Sequence, residues 1–279
     1  MEAGARDGGT EIVQPAICGR LGQCAPLPFP QGGAGHPRKK FYRARAHANP
    51  LSDGHFVDLP DAPEAMDWGK LFEEKAAEAE KKRTPLPSPT VADVGCGFGG
   101  LLISLSPLLP DDLMVGIELR DSVCDYVRQR AAVLRRAAPP RALNVAALRV
   151  NAQRHLTHLF AKGSLAKLFF LFPDPHFKAK NFRRRIVTPA LASDYAYLLR
   201  PGGCLYTVTD VPDLGGWMAA SLDAHPLFRR MTDAELAADP AAALLDSATE
   251  EGQKVARNAG STWKACYVRL GEAREVGGA

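Results

Sequence analysis

One carboxylate in this chain is set between two prolines, and no other residue is better arranged for chemistry. Asp174 stands in Leu171-Phe172-Pro173-Asp174-Pro175-His176-Phe177-Lys178, directly after the apolar run Lys167-Leu168-Phe169-Phe170. Proline fixes its own φ and pushes the preceding residue out of the helical region. Asp174 is therefore presented on stiff, extended backbone where a buried strand emerges. A basic run follows at once: Lys178, Lys180, Arg183, Arg184 and Arg185. An acid on a rigid platform beside a positive surface suits chemistry on a polyanion. The same residues also read as a Pro-rich turn followed by a solvated basic helix. Three consecutive arginines cannot all face one way, so one or two of them are expected to touch phosphate.

A second constellation lies upstream, in Asp93-Val94-Gly95-Cys96-Gly97-Phe98-Gly99-Gly100. Glycines let the backbone pass close to a ligand, and a helix starting there aims free N–H groups at it. Gly95, Gly97 and Gly100 satisfy GxGxxG, a pattern shared by dinucleotide-binding and methyl-donor folds. Glu118 ends the next apolar run, where an acid can hold both ribose hydroxyls of either ligand. Three features favour S-adenosylmethionine over NAD: the acid at Asp93 ahead of the glycines, the polar-small pair Asn151-Ala152, and the Leu-Arg-Pro-Gly-Gly turn at 199–203. No His or Tyr–Lys arrangement for hydride transfer stands out.

The elements needed to position these groups alternate as a doubly wound sheet requires. Strands are expected over 90–94, 114–117, 146–150, 168–172 and 205–209. Helices are expected over 101–109, from a cap at Asp121 through Val123, Val127, Ala131 and Leu134, and over 187–199. Within 72–89 the charges at Glu73, Glu74, Lys75, Lys81, Lys82 and Arg83 read as a charged helix leading to a Pro-rich linker.

The bulk composition bounds these readings. A chain of 279 residues with 46% hydrophobic content holds one large α/β domain plus a tail, or two small domains. No apolar run reaches the ~18–20 residues a membrane span needs, so a soluble protein is expected. The net charge is only +4, so the placement of charge matters more than its sum. Six cysteines are scattered without CxxC spacing, which fits free thiols in a reducing compartment. His155 and His158 are three apart but have no further evident ligand, and no metal is expected. Residues 1–35 are rich in Gly, Pro and Ala without periodicity and read as disorder, with no secretory signal. Then Arg38-Lys39-Lys40-Phe41-Tyr42-Arg43-Ala44-Arg45 interleaves cations with aromatics, which is either a nucleic-acid or nuclear-import patch or a solvated arm.

Together these stretches resemble the tRNA (guanine-N7)-methyltransferases, in the eukaryotic branch that acts with a WD-repeat partner. The resemblance rests on 40–47 with Asn49-Pro50, Met66-Asp67-Trp68, 93–102, 116–120, 168–178, Thr209-Asp210-Val211, and Thr249-Glu250-Glu251-Gly252 with Lys254-Val255 and Arg257-Asn258. It implies a Rossmann-like class I methyltransferase fold, an α/β structure with a mostly parallel seven-stranded sheet and helices on both faces. It implies a tail over 1–37, a basic arm and charged helix over 38–89, a methyltransferase domain over 90–270 and a short tail over 271–279. The implied cofactor is S-adenosyl-L-methionine, held by Gly95, Gly97, Glu118, Leu119, Arg120, Asn151, Ala152, Leu171, Thr249 and Glu251. Asp174 is the implied catalytic residue, and the substrate is guanosine 46 of the tRNA variable loop. Arg38, Lys39, Lys40, Arg43, Lys178, Lys180, Arg183, Arg184 and Arg185 are expected to bind RNA. Nuclear residence follows from the family, with the cytoplasm as a second compartment. Ala48 replaces a serine that is phosphorylated in the animal enzyme, so that switch is absent. Other readings are a different RNA methyltransferase, a NAD-dependent oxidoreductase, or a non-catalytic RNA-binding protein.

Overall fold

The computed structural model describes residues 37–42, 49–51 and 59–271. Most of the two expected tails, and Arg43, lie outside the described residues. The elements run, in order, α1 (Glu73–Lys82), β1 (Val91–Val94), α2 (Gly100–Leu105), β2 (Met114–Glu118), α3 (Asp121–Arg135), β3 (Val145–Arg149), α4 (Ala152–Leu159) and β4 (Leu165–Leu171). They continue with α5 (Pro189–Leu198), β5 (Leu199–Thr209), α6 (Pro212–Asp223), β6 (Phe228–Arg230), α7 (Asp233–Ala238), α8 (Glu250–Arg257) and β7 (Trp263–Arg269). The seven strands form one sheet in the order β3-β2-β1-β4-β5-β7-β6. The first five are parallel, while β7 runs antiparallel to both β5 and β6.

Strands β1–β4 are almost wholly buried on both faces, as strands covered on both sides must be. Side chains alternate across the sheet, so Val115, Ile117, Leu168, Phe170 and Leu205 pack in one layer with α4, α5 and α6. Met114, Phe169, Leu171, Tyr206 and Val208 pack in the opposite layer with α2 and α3. Phe169 and Phe170 are both fully buried, each worth roughly 1.5–3 kcal/mol relative to exposure. Truncating either to alanine is expected to cost about 3–5 kcal/mol, since a cavity is left as well.

The sequence-derived boundaries shift where caps decide them. The helix expected from 187 starts at Pro189, because Thr188 accepts a hydrogen bond from Leu191 N at 3.2 Å and proline suits the first helical position. Asp121 is the first residue of α3 and not its cap; Arg120 takes that place without a side-chain cap bond. The helix expected to reach 109 stops at Leu105, and tight turns carry the chain onward. The Arg-Pro-Gly-Gly stretch is not a separate turn but an irregular entry to β5, paired to β4 with a register shift. The charged helix is present as α1 and ends at Arg83, which adopts a left-handed conformation.

Both sheet edges are blunted. At the β3 edge, Arg128 Nε of α3 donates to Ala147 O at 3.1 Å and Arg135 Nη2 donates to Val145 O at 2.6 Å. These arginines occupy carbonyls that an incoming strand would otherwise use. At the other edge β6 is only three residues long.

Candidate active site

The direction of winding reverses between β1 and β4, and such a reversal opens a crevice at the carboxyl ends of the strands. A cleft of about 530 Å³ occupies it. Each of the five parallel strands β1–β5 contributes the residues that follow it: Gly95 after β1, Leu119 and Arg120 after β2, residues 151–153 after β3, residues 172–176 after β4, and Asp210 and Val211 after β5. Glu118 lines it from the end of β2, and Glu251 and Lys254 of α8 form part of the rim.

On the β1 side the backbone itself is the site. Gly95 has φ +76°, Gly97 φ +52° and Gly99 φ +73°. A Cβ placed on Gly95 or Gly97 would meet nothing within 4 Å, so glycine serves conformation and open space there. Gly100 is glycine for close packing, since a Cβ would stand 2.2 Å from Ala248 O. That contact seats the segment leading into α8 directly on the start of α2. Asp93, beneath the turn, is buried, and burial pushes its carboxyl up to about 7, with Glu118 and Glu250 adding to the effect.

Glu118 is also buried, and Arg120 engages its carboxylate three times: backbone N at 2.9 Å, Nε at 3.0 Å and Nη2 at 3.1 Å. A carboxylate has about four acceptor sites, so hydroxyl donors from the cleft can still be accepted. Burial works against the Arg120 charge, but Glu118 and, more weakly, Asp174 hold its guanidinium above the usual range. Asn151 caps α4 by accepting from Gln153 N at 3.1 Å, and its amide donates to Pro50 O.

On the β4 side the chain is under backbone strain. Phe172 has φ +51° and His176 φ +47°, so two bulky residues in the left-handed region bracket Pro173-Asp174-Pro175. Each such residue costs roughly 1–2 kcal/mol, and strain of this kind collects at functional sites. Hydrogen bonds hold both ends: Phe172 N donates to Val208 O at 2.7 Å, and Arg185 Nε donates to Pro175 O at 2.9 Å. Asp174 itself is partly exposed and faces the cleft.

The three consecutive arginines have three different fates. Arg183 is exposed, Arg184 is half-buried and lines the cleft, and Arg185 is only 5% exposed. Arg185 is therefore not available to phosphate, which corrects its expected RNA-binding role. Its guanidinium lies 3.7 Å from the Phe182 ring centroid and 4.8 Å from that of Trp217. Burial pulls its pKa down, with Asp213 opposing.

Other expected site residues separate in the same way. Arg38, Lys40, Lys178 and Lys180 are exposed. Lys39 pairs with Glu250 at 2.9 Å and covers the Phe98 ring at 5.1 Å. Leu171 does not line the cleft; strand alternation turns it into the core beside Phe169 and Val208. Thr249 caps α8, accepting from Gly252 N at 3.0 Å, which leaves its hydroxyl proton free to donate. Gln153 carries no motif to mark it, yet its amide donates to both Arg184 O and Arg185 O at 2.8 and 2.9 Å. Only the folded chain brings that bond about.

A doubly wound sheet extended by β7 and β6, of which only β7 runs antiparallel to the rest, with a glycine turn after its first strand and an acid ending its second, defines a class I methyltransferase. Residues 87–265 match the family model described as "Putative methyltransferase". A protein of Arabidopsis thaliana named tRNA (guanine-N(7)-)-methyltransferase is 52% identical over 237 residues, covering 85% of this chain and 93% of the relative. Relatives of the same name in Zea mays and Mus musculus are 49% and 47% identical, each over more than nine-tenths of their own length. This chain belongs to the tRNA (guanine-N7)-methyltransferase family.

Proposed function

We propose that this chain transfers a methyl group from S-adenosyl-L-methionine to N7 of guanosine 46 in the tRNA variable loop, as the catalytic subunit beside a WD-repeat protein. The observation that carries the reading is that one crevice joins the open glycine turn, the acid Glu118 and the strained loop presenting Asp174. The position in tRNA, the WD-repeat partner and nuclear residence rest on the motif resemblance.

The cleft fits the cofactor. Its volume lies within the range of small-molecule sites. The open space over Gly95 admits a ligand against the backbone, and Glu118 suits ribose hydroxyls. Leu119, Arg120, Asn151, Ala152 and Glu251 complete the set that would hold it. S-adenosyl-L-methionine supplies an electrophilic methyl on a sulfonium.

Guanine N7 has an in-plane lone pair and no proton to lose, so the protein need supply no general base. Its residues work by alignment, which is worth up to ~7–11 kcal/mol in favourable cases. Asp174 accepts from the N–H edge of the base and offsets the positive charge that develops on the purine. Phe177, 73% exposed beside Lys178, offers a face on which an unstacked base can rest. Lys178, Lys180, Arg183 and the arm at Arg38 and Lys40 supply phosphate attraction, so tRNA affinity falls steeply with salt.

The test is labelled methyl transfer to bulk tRNA, followed by chemical cleavage at 7-methylguanosine, with and without the WD-repeat protein. Cleavage at position 46 is expected. Label in another base, or in protein, overturns the assignment.

A further inference from the structure

From the end of the basic run toward α5 runs a short strap whose four consecutive carbonyls are taken by three side chains, one from each of α4, α5 and α6. Arg184 O and Arg185 O accept from Gln153 at the start of α4. Ile186 O accepts from the Tyr195 hydroxyl of α5, and Val187 O accepts from Trp217 Nε1 of α6 at 2.8 Å. Buried carbonyls need partners, but helices and sheets normally provide them through backbone. Here three helices grip one extended segment through side chains, so the backbone from which Arg185 projects cannot drift.

The Arg185 side chain is equally confined. Phe182 and Trp217 meet with ring centroids 5.3 Å apart, and the guanidinium sits against both rings. Planar, weakly hydrated guanidinium is suited to such a seat, whereas an ammonium is not. From it, Nε reaches the carbonyl of Pro175, the residue after Asp174, at 2.9 Å. Pro175 O lies one residue before His176, whose left-handed φ gives the loop a reason to relax.

We propose that Arg185 is a positioning residue for methyl transfer: seated on Phe182 and Trp217, it fixes the Pro175 carbonyl and thereby the place of Asp174 in the cleft. This rests on the proposed function and adds to it. A basic residue within a run of cations thus serves geometry and not phosphate. Misplacing a reacting or orienting group by about 1 Å costs on the order of 10²-fold in rate.

The experiment uses the full chain in the preparation that methylates tRNA. Arg185→Met is expected to lower kcat by about 10²-fold. Arg185→Lys, which keeps charge and stem but loses the planar fork, is expected to lower it by roughly tenfold. KM for tRNA, the slope of affinity against salt and the S-adenosylhomocysteine thermal shift should stay at wild-type values in both. Because Arg185 acts through Asp174, adding Arg185→Met to Asp174→Ala should lower kcat no further than Asp174→Ala alone. Three results would each overturn the proposal: wild-type kcat in the single variants, a loss confined to KM with a shallower salt slope, or losses that multiply in the double variant. If Arg185→Met does not fold, Arg185→Lys and its double variant decide alone. Failure of the wild-type chain to methylate guanosine N7 would instead remove the proposed function, and the two failures are read from different samples.

Discussion

The turn after β1 and the turn after β4 sit side by side at the same crevice and are built on opposite principles. The first uses glycine at every left-handed position, so its geometry is nearly free of strain and little side-chain support is needed. The second puts phenylalanine and histidine into the left-handed region, locks two prolines between them, and depends on Val208 and Arg185 to hold the result. The difference matches what each turn handles. A turn that offers N–H groups and empty space to a ligand needs only a backbone able to approach it. A turn that offers one carboxylate needs that group held in place, and side-chain pinning provides the stiffness.

The largest effect should come from the carboxylate itself. Asp174→Ala is expected to lower kcat on tRNA by about 10²–10³-fold, the usual loss on removing one preorganised electrostatic partner. The thermal shift with S-adenosylhomocysteine should persist; its disappearance would mean that the two turns are not separable. The next effect lies beneath the glycine turn and depends on pH. The Asp93 carboxyl is raised from 3.8 to about 7 by burial, so between those values the folded chain holds a proton that the unfolded chain releases. Stability therefore falls as pH rises through that window. Asp93→Asn should match wild type near pH 4 and melt higher above pH 7, by about 2–4 °C for each kcal/mol regained. A melting difference independent of pH would rule this out.

Gly95→Ala probes the unstrained turn directly. With no protein neighbour to strike, the added methyl costs the fold only its left-handed conformation, roughly 1–2 kcal/mol of stability, and by entering the space left for the ligand it should also weaken S-adenosylhomocysteine binding. His176→Gly is the mirror experiment and the mildest. It relieves left-handed strain, so stability should hold or rise by up to ~1 kcal/mol while kcat falls. A variant that keeps full kcat would show that the second turn needs no rigidity, and the contrast between the two turns would collapse.

Much of this was legible in the chain because it is written in local residue types. The glycines, the prolines around Asp174 and the alternation of apolar runs with helical spacing each have a short-range physical meaning. The expected seven-stranded sheet came through resemblance, since β6 is too short and β7 too polar at its start to stand out. What stayed hidden depends on partners distant in sequence. Nothing in Arg183-Arg184-Arg185 says which one turns inward; Trp217, from α6, decides it. The resemblance implies Leu171 as a cofactor contact, and the parity of β4 turns its side chain into the core. Thr249 is implied as a cofactor contact by the resemblance, and the structure shows its hydroxyl capping α8, a role compatible with that contact.

The arginines that α3 lays over β3 have a consequence for the chain in crowded solution. An open sheet ends in a row of unsatisfied carbonyls and amides that can recruit another molecule, and each recruited strand presents the same row again. Arg128 and Arg135 interrupt that propagation with charge as well as with hydrogen bonds. The edge farthest from β6 is thus closed to strand addition by two side chains of a neighbouring helix and not by another strand.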